Sequence, residues 1–492
     1  MYLTLLFDVE DLVDPRADDT TLRAARILTE EDAPSTMMIV GEKARLWEKR
    51  GRGDLIDAMA GHDIGLHTNR HSVHPTVAEY LEGKRWEDGI AEVVARERSG
   101  VDDMRRILGR DPSCWGRGGS TWGPQVAPAL AKMGVPAMMY SFTHLPDPSR
   151  GVHYFCNTLS YYWFYGGFDE VFADEAKFDA AWGQAKDEIA GAVDSRAPWL
   201  GLFVSHPAML RAEVFWDKLN YDRGINTPPE EWRLPEYRGE EEWLVVQRNL
   251  RRLAAEVARL PGVQLRTVRE VNALVARQPE RVQPDDLVAL AREAAAADGV
   301  LVLDGANEGR HGGLPLHDAH AVGADASVRP VSPVRPGQPL PPISPAEALY
   351  LTALWLDLGR PEGALPWRYV EGPTAEPAAD CGPLTLNAHE LREGAAVLRR
   401  AVEASGRLPA SVAIGQAEVG VGTLYRALAA ACLQRGEVRL APGAQVPAIG
   451  EVLAREVADG VPGWMHKPDL DVSTHAAYTR LQSWTLRPAV LR

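Results

Sequence analysis

The sequence contains few cysteines and no long apolar segment. Four of its 492 residues are cysteine, at positions 114, 156, 381 and 432. Four scattered thiols are too few for a disulfide framework or a cysteine-rich zinc site. No stretch reaches the roughly 18 consecutive apolar residues of a membrane-spanning helix. The first residues lack the basic segment and the small-residue cleavage site of a signal peptide. The sequence therefore predicts a cytoplasmic protein without a membrane span.

Basic residues are also scarce relative to acidic ones. The chain has 53 lysines and arginines against 68 aspartates and glutamates, a formal net charge of −15. This excess of acid argues against a broad surface for nucleic acid or anionic membranes. Hydrophobic residues make up 45% and charged residues 25%, the balance of a folded globular protein. We expect small or neutral partners, and the sequence does not indicate an oligomeric state.

The chain divides by pattern into two regions. Up to about residue 275, short β-rich runs alternate with longer helical patterns, which predicts an α/β fold with a parallel sheet or barrel. In such folds chemistry gathers at the carboxyl ends of the strands. Beyond residue 278 the composition shifts toward Ala, Leu and Pro. We predict a (β/α) barrel domain at residues 1–278 and a mainly α-helical accessory domain at residues 279–492.

The second region contains a proline-rich segment and a weak internal similarity. Residues 329–345 are too rich in proline for a helix or a central strand. Two apolar helices, residues 346–358 and 422–433, are each paired with an amphipathic one, residues 285–297 and 388–404. This pairing suggests a two-copy repeat. Chance similarity between Ala- and Leu-rich helices explains the likeness equally well.

Acidic residues follow the first predicted strand directly. Asp8, Glu10 and Asp11 come at the end of the apolar run over residues 3–7. Acids at the carboxyl end of a strand are well placed to bind a metal or to act as a base. A solvated turn whose acids cap the next helix is the alternative interpretation of this segment alone.

Histidines are concentrated in one short segment. His62, His67, His71 and His74 fall within residues 61–75, although the whole chain has 13 histidines. His67 and His71 lie four residues apart, a spacing that places two imidazoles on one helical face to share a divalent ion. His71 and His74 form a competing pair. The clustering favours a metal site over structural histidines.

Two further segments carry weaker signals. Arg117 lies in a glycine-rich stretch and could orient a carboxylate or bind substrate, although most arginines are simply exposed on the surface. His206 ends a predicted buried strand, where a histidine can act as a general acid or be held in a structural hydrogen bond. Aromatic residues at 161–165 and 215–216 are a candidate sugar-stacking platform, but core packing is the favoured interpretation.

Together these segments resemble the polysaccharide deacetylase superfamily, the NodB-like carbohydrate esterases. The order of the segments matches over about residues 1–275, more than half of the chain. The matching segments are DVED at 8–11, STMMIVG at 35–41, GHDIGLHTNRH at 61–71, GRDPSCWGRGG at 109–119 and LGLFVSH at 200–206. The His-Thr-x-x-His segment is the most specific of them. The helical region is loosely similar to pseudomurein-binding modules.

The resemblance implies a fold and a metal site. The family fold is an irregular (β/α) barrel that holds a divalent metal, with zinc as the first choice and other divalent ions as alternatives. His67 and His71 match the two metal-binding histidines. Glu10 matches the third, acidic ligand, with Asp11 as the alternative.

The resemblance also implies catalytic roles. Asp8 matches the catalytic base, His206 the general acid, and Arg117 the arginine that steers the base. The family usually has a proline and an aromatic residue after this arginine, whereas Gly118 and Gly119 follow Arg117 here. The departure puts the substrate class in doubt but removes no primary catalytic group.

The sequence thus predicts a metal-dependent hydrolase. We expect it to remove an acyl group, in the first place acetyl, from an amide nitrogen of an amino sugar or a related small molecule, so the partner is a small-molecule or glycan substrate. One rival is an amidohydrolase of the same superfamily that acts on a non-sugar C–N bond. A second rival is a catalytically weakened module that binds a glycan or a protein.

Overall fold

The computed structural model describes most of the chain: residues 1–139, 151–162, 164–296, 342–378, 383–433, 436–440 and 443–492. The predicted proline-rich segment lies outside the described residues, except for its last four. Trp163 of the candidate sugar-stacking platform and Cys381 lie outside the described residues as well.

Ten short strands belong to the first region. In chain order, β1 to β10 are Tyr2–Val9, Thr36–Ile39, Asp63–Leu66, Trp115–Gly116, Ala137–Met139, Val152–Phe155, Thr158–Tyr161, Phe164–Gly166, Trp199–Ser205 and Gln264–Leu265. Nearly every residue of β1, β2, β3 and β9 is buried. Continuous apolar runs of this kind are typical of parallel strands that are covered on both faces.

Ten helices connect and cover these strands. In chain order, α1 to α10 are Arg16–Glu30, Gly41–Lys49, Gly53–Ala58, Val77–Leu81, Trp86–Leu108, Val126–Met133, Glu175–Asp194, Trp216–Asn220, Glu240–Val257 and Val268–Leu274. The longest, α5, is amphipathic and ends at Gly109, whose φ of 72° is the left-handed conformation that terminates many helices.

Among its described residues, the second region adds seven strands and six helices. The strands β11 to β17 are Arg281–Val282, Leu365–Pro366, Leu384–Leu386, Ser411–Ile414, Ala417–Gly420, Val438–Leu440 and Arg487–Pro488. The helices α11 to α16 are Pro284–Ala296, Pro345–Asp357, Ala388–Ser405, Val421–Leu433, Ala448–Gly460 and Ser473–Gln482.

The main sheet contains eleven strands, most of them parallel. Its order is β17-β6-β7-β5-β4-β3-β2-β1-β9-β8, and β10 pairs with the first two residues of β1. Among the described strands, hydrogen bonding runs from β17 at one end to β8 at the other and does not close into a ring. The expected mixed α/β class is confirmed, and among the described residues the predicted barrel is an open, curled half-barrel, called the barrel below. Because β1, β3, β4 and β9 are parallel members of it, their carboxyl ends meet at one edge.

The second region has its own apolar core. It is built mainly from α11 to α14, with α11 packed on α14 and α12 packed on α13. Two antiparallel strand pairs, β11 with β12 and β13 with β16, flank these helices. Each predicted copy of the repeat pairs one amphipathic helix with one apolar helix, α11 with α12 and α13 with α14. The middle of the first copy lies outside the described residues, so the two-copy repeat stays a prediction.

The last part of the chain returns to the first region. Leu453, Val457 and Val461 belong to the same buried cluster as the side chains that pack on β1 and β9. The final strand, β17, pairs with β6 at the end of the main sheet. The division into domains at residues 278 and 279 stays a prediction, and the structure places residues 448–492 against the barrel region.

The packing of α15 gives a test of this placement. Leu453 is fully buried, whereas its neighbour Val452 is 43% exposed. Because truncating a buried leucine leaves a cavity, Leu453→Ala should destabilise the protein by about 2–5 kcal/mol. Hydrogen exchange of β1 and β9 should then accelerate.

The matched control is Val452→Ala, which should change neither denaturant unfolding nor exchange. If Leu453→Ala left the exchange of β1 and β9 unchanged, α15 would not be part of the barrel core.

Candidate metal centre and active site

The predicted site residues meet at the carboxyl edge of the main sheet. Asp8 is near the end of β1, and Glu10 follows that strand. His67 follows β3 directly, and His206 follows β9. The pairing of β1 with β9 shifts register between Leu6 and Phe7, and such irregularities re-aim the side chains that follow.

Three side chains form a compact set of candidate metal ligands. Glu10, His67 and His71 each offer one donor atom, and the three atoms lie within 4.8 Å of one another. Glu10 Oε2 is 3.5 Å from His67 Nε2 and 3.0 Å from His71 Nε2. Among the described residues, this is the one group of three or more His, Cys, Asp or Glu side chains that meets this spacing.

The donor atoms suit a divalent cation. All three side chains are at most 3% exposed, and neither ring nitrogen of His67 has a hydrogen-bond partner. A buried polar atom left without a partner destabilises the fold, and coordination to a cation would compensate for it. Two imidazoles and one carboxylate are ligands typical of catalytic zinc, and they leave a coordination position open.

The two histidine ligands lie on a loop, so the predicted helical face is wrong. Residues 67–75 contain no helix. Thr68 and His71 have φ values of 58° and 49°, and the backbone N–H of His71 donates a 2.8 Å hydrogen bond to Thr68 Oγ1. This tight turn, rather than an α-helix, brings the two imidazoles to a centroid distance of 4.9 Å.

Glu10 rather than Asp11 joins the two histidines. Asp11 Oδ1 accepts hydrogen bonds from the backbone N–H groups of Val13 and Asp14, at 2.8 and 2.9 Å. It therefore shapes the turn after β1, but it is buried and does not cap α1, so the alternative of a solvated, helix-capping acid is wrong for Asp11. Glu10 Oε1 instead accepts a 3.1 Å hydrogen bond from the indole of Trp216, which leaves Oε2 directed at the histidines.

His74, the competing histidine, is held elsewhere. Its Nδ1 lies 2.8 Å from Glu79 Oε2, and its Nε2 lies 2.9 Å from the carbonyl of Tyr221. Burial lowers the pKa of His74, but the hydrogen bond to Glu79 outweighs this and leaves the pKa raised. Burial raises the pKa of Glu79, but the hydrogen bonds from His74 and the backbone of Lys467 lower it to about 2. His74 thus forms a structural ion pair outside the ligand set.

Asp217, which the sequence did not reveal, supports His71. His71 Nδ1 lies 2.6 Å from the hydroxyl of Ser72, which in turn donates a 2.6 Å hydrogen bond to Asp217 Oδ2. Outer contacts of this kind fix the orientation of a ligand imidazole. Asp217 lies in α8 beside Trp216. It is far along the sequence from the loop that carries His71, and folding brings the two together.

Asp8 and His206 flank the ligand set. His206 Nε2 lies 3.9 Å from Asp8 Oδ2 and 3.9 Å from Glu10 Oε2. The side chains of Asp8 and His206 are 10% and 13% exposed, more than those of the three ligands. Both groups therefore border the side from which a substrate can enter.

Asp169, also missed from the sequence, fixes the orientation of His206. Its Oδ2 lies 2.7 Å from His206 Nδ1, and its Oδ1 accepts a 2.8 Å hydrogen bond from the backbone N–H of His206. Because Nδ1 faces Asp169, Nε2 is the ring nitrogen that faces Asp8. An acid within a loop, with no motif around it, gives no signal that sequence inspection could have used.

The buried charges shift each other's pKa values. Burial raises the pKa of Asp8 despite the neighbouring imidazoles. Burial alone would also raise the pKa of Glu10, but the imidazoles of His71 and His206 hold it well below its usual value. Burial disfavours the imidazolium of His206, yet Asp169 and Glu10 raise its pKa to about 10. The protein without metal therefore holds a protonated His206 at neutral pH.

Close contacts explain why residues without a side chain, Gly118 and Gly119, follow Arg117. A Cβ added to Gly118 would lie 2.6 Å from His71 Cδ2, and one added to Gly119 would lie 2.6 Å from Met465 Sδ. Gly118 thus packs flat against a ligand imidazole, where no side chain fits. Arg117 itself follows β4 and is half-buried, and its steering of Asp8 stays a prediction.

Tyr161, the first residue of the predicted aromatic platform, belongs to the core. Tyr161 is fully buried, its ring packs on Trp199, and its hydroxyl donates a 2.7 Å hydrogen bond to Asn272. Phe215 differs, since its ring packs edge-on against His206 at a centroid distance of 4.8 Å. Core packing therefore explains Tyr161, and Phe215 lies beside the site.

Of the comparisons with known proteins, only the one with solved structures found matches. No protein-family model and no curated protein matches the sequence. A 4-α-glucanotransferase from Thermococcus litoralis is 13% identical over 55% of this chain and 40% of its own, with a TM-score of 0.37. A family 4 carbohydrate esterase from Streptomyces lividans is 15% identical over 53% of this chain and 90% of its own, with a TM-score of 0.27. An allantoinase is 11% identical over 55% of this chain and 89% of its own, with a TM-score of 0.36.

Within the part of the chain that the structure describes, no helix combines the length and the apolar character that crossing a bilayer requires.

The ligand assignment can be tested by substitution. His67→Ala and His71→Ala should each abolish binding of about one divalent ion per chain, because two remaining protein ligands hold zinc poorly. His74→Ala and Asp11→Asn should retain the ion, since these side chains contact other groups. Elemental analysis of the purified variants measures this directly, and full occupancy in His71→Ala would overturn the assignment.

Glu79 offers a second test, because it joins the His71 loop to the end of the chain. Its Oε1 accepts a 2.7 Å hydrogen bond from the backbone N–H of Lys467. Glu79→Gln should weaken zinc binding up to about tenfold by loosening the loop that carries His71. Because the pKa of Glu79 is about 2 against 4.5 in the unfolded chain, its stabilising effect should be lost as the pH falls from 4.5 toward 2.

The matched control is Glu82→Gln. Glu82 also binds the C-terminal segment, through the backbone N–H of Asp471 and the amine of Lys467, and neither of these contacts involves His74. Competition titration with a chromophoric chelator should show unchanged zinc affinity in this variant. Equal losses in both variants would mean that Glu79 acts only through general stability.

Proposed function

We propose that the protein is a metal-dependent hydrolase that removes an acyl group, in the first place acetyl, from an amide nitrogen of an amino sugar or a related small molecule. One observation carries this proposal. A buried ligand set of one carboxylate and two imidazoles is bordered by a second carboxylate, Asp8, and by an oriented histidine, His206, both within 3.9 Å of it.

Glu10, His67 and His71 would hold the divalent ion, with zinc as the first choice. When bound, such an ion would polarise the acyl carbonyl and lower the pKa of the attacking water. Trp216 and the Ser72–Asp217 pair keep Glu10 and His71 in place through the hydrogen bonds described above.

Asp8 and His206 divide the proton transfers between them. Asp8 accepts a proton from the water that attacks the acyl carbon. His206 donates the proton on Nε2 to the amide nitrogen as the C–N bond breaks, so that the products are a carboxylate and an amine. General acid and base groups each contribute on the order of 10²–10⁴-fold to such reactions.

The protonation state of His206 suits the role of acid. Burial disfavours its charge, but Asp169 and Glu10 raise its pKa to about 10 in the protein without metal, so the ring holds a proton there at neutral pH. Asp169 occupies Nδ1 and so leaves the Nε2 proton for the leaving group. Arg117, at the carboxyl end of β4, would orient Asp8, as in the family that the sequence resembles.

Substitution of the two proton-transfer groups tests the mechanism. Asp8→Asn and His206→Gln should each retain zinc but lose about 10²-fold or more of turnover, because neither group is needed to hold the ion. Acetate release from N-acetylglucosamine, with zinc content measured in parallel, checks both expectations. Turnover within a few-fold of the parent in either variant would exclude the role of that residue.

A further inference from the structure

Asn69 lies midway along residues 67–71, the ligand loop, which begins and ends with the candidate ligands His67 and His71. The residue is 6% exposed. Its backbone N–H, backbone carbonyl, side-chain oxygen and side-chain nitrogen all have hydrogen-bond partners, and these partners belong to α2 and α5. The two helices also pack on each other. The middle of the ligand loop is therefore attached to two helices of the scaffold.

The contacts with α5 hold both the backbone and the side chain of Asn69. Its backbone N–H donates a 2.8 Å hydrogen bond to Glu97 Oε2. Its side-chain Nδ2 donates to the carbonyl of Arg96 at 2.6 Å and to the hydroxyl of Ser99 at 3.0 Å. Because these three hydrogen bonds all reach the same turn of α5, the loop cannot move along the helix without breaking them.

The contacts with α2 involve the oxygen atoms of Asn69. The backbone N–H of Glu42 donates a 2.9 Å hydrogen bond to its carbonyl, and Arg45 Nη2 donates one of 2.9 Å to its Oδ1. The backbone N–H of Gly41 donates in the same way to the carbonyl of Thr68, at 3.0 Å. Both N–H groups belong to the first turn of α2, where the helix itself provides no acceptor. The ligand loop thus caps α2.

Two glycines make room for the side chain of Asn69 between these helices. A Cβ added to Gly41 would lie 2.7 Å from Asn69 Oδ1, and one added to Gly100 would lie 3.0 Å from the same atom. Both distances are shorter than an ordinary van der Waals contact. The packing of α2 and α5 therefore determines where the middle of the ligand loop lies.

Glu97 connects the ligand loop to the strand that precedes Arg117. It is 3% exposed, and its Oε2 also accepts a 3.3 Å hydrogen bond from the indole of Trp115 in β4. Burial raises the pKa of Glu97 to about 7, although the hydrogen bonds from Trp115 and from the backbone of Asn69 favour the charged form. One buried carboxyl group thus fixes the loop after β3 relative to β4.

We infer that Asn69 is a positioning residue for the metal centre and that, together with Glu97, it holds the ligand loop in its metal-binding conformation before the ion arrives. The inference rests on the proposed function, since it takes His67 and His71 as ligands. It adds that the helices α2 and α5, rather than the ion, order the loop. A loop that is already ordered loses little conformational entropy when the ion binds, which favours affinity.

Substitution of Asn69 tests the inference through metal affinity. Asn69→Ala removes the side-chain hydrogen bonds to both helices and leaves all three ligands in the sequence. It should weaken zinc binding about 10–100-fold, the usual effect of removing a group that supports a ligand. Competition titration with a chromophoric chelator measures this loss.

The matched control is Arg70→Ala. Arg70 is the next residue of the same loop, but its side chain is exposed. This variant should bind zinc as tightly as the wild type. Unchanged affinity in Asn69→Ala, or equal losses in the two variants, would overturn the inference.

The visible spectrum of bound Co²⁺ separates positioning from general stability, because it reports the geometry of the ligands. At saturating Co²⁺, the bands of Asn69→Ala should shift relative to those of the wild type. Leu250→Ala truncates a buried leucine of α9, away from the ligand loop, so it should destabilise the protein and leave the bands unchanged. Equal shifts in both variants would mean that Asn69 acts only through stability, contrary to the inference.

Glu97 allows two substitutions to be compared at one position. Glu97→Gln keeps an oxygen that can accept the N–H of Asn69, so it should retain zinc affinity within a few-fold. Glu97→Ala removes the acceptor and should weaken zinc binding about tenfold or more. If Glu97→Gln bound zinc as weakly as Glu97→Ala, the hydrogen bond to Asn69 would not be what Glu97 contributes.

Hydrogen exchange tests whether the ligand loop is ordered before the ion binds. In the metal-free wild type, the amide of Asn69 should be protected as strongly as the amides of β3, because Glu97 accepts its hydrogen bond without the ion. Exchange at the rate of an unstructured amide until zinc is added would overturn the inference and leave the hydrolase intact. Failure of the wild type to bind zinc or Co²⁺ at all would overturn the proposed function and the inference with it.

Discussion

Buried negative charge is the constraint on which the site depends. Asp8, Glu10, Asp169 and Asp217 all lie within one shell around three imidazoles. Removing a carboxylate from water costs several kcal/mol unless a positive charge compensates for it. Protonated imidazoles provide part of this compensation in the metal-free protein, as the raised pKa values of His71 and His206 indicate. A divalent cation would supply the rest and would release the ligand histidines from carrying a proton.

The local part of the site could be predicted from the sequence, because it follows from strand ends and short spacings. Glu10 lies two residues beyond Asp8, and His67 and His71 follow one strand, so parallel pairing brings them together. The helical face inferred for the two histidines was wrong, because a spacing of four residues is equally compatible with a turn through left-handed residues. Periodicity alone cannot distinguish these two conformations.

The supporting contacts could not be predicted, because they join distant parts of the chain. Asp169 is 37 residues from His206, and Asp217 is 145 residues from Ser72. Lys467 lies 388 residues beyond Glu79, to which its backbone is hydrogen-bonded. No pattern along the sequence reports such pairs. The mixed α/β class could be predicted from the alternation of strands and helices, whereas the return of β17 to the sheet edge had no signal in a two-residue strand.

The late position of residues 461–467 in the chain has a consequence for biosynthesis. At about 5–20 residues per second, a ribosome makes this segment roughly 10–40 seconds after the last barrel helix, α10. During that interval the loops that carry His71 and Gly119 lack the contacts with Met465 and His466 that the finished protein has. The nascent barrel therefore exposes apolar surface and an incomplete site until synthesis is nearly over. The candidate ligands Glu10, His67 and His71 are made early, whereas the residues that pack on the neighbouring loops are made last.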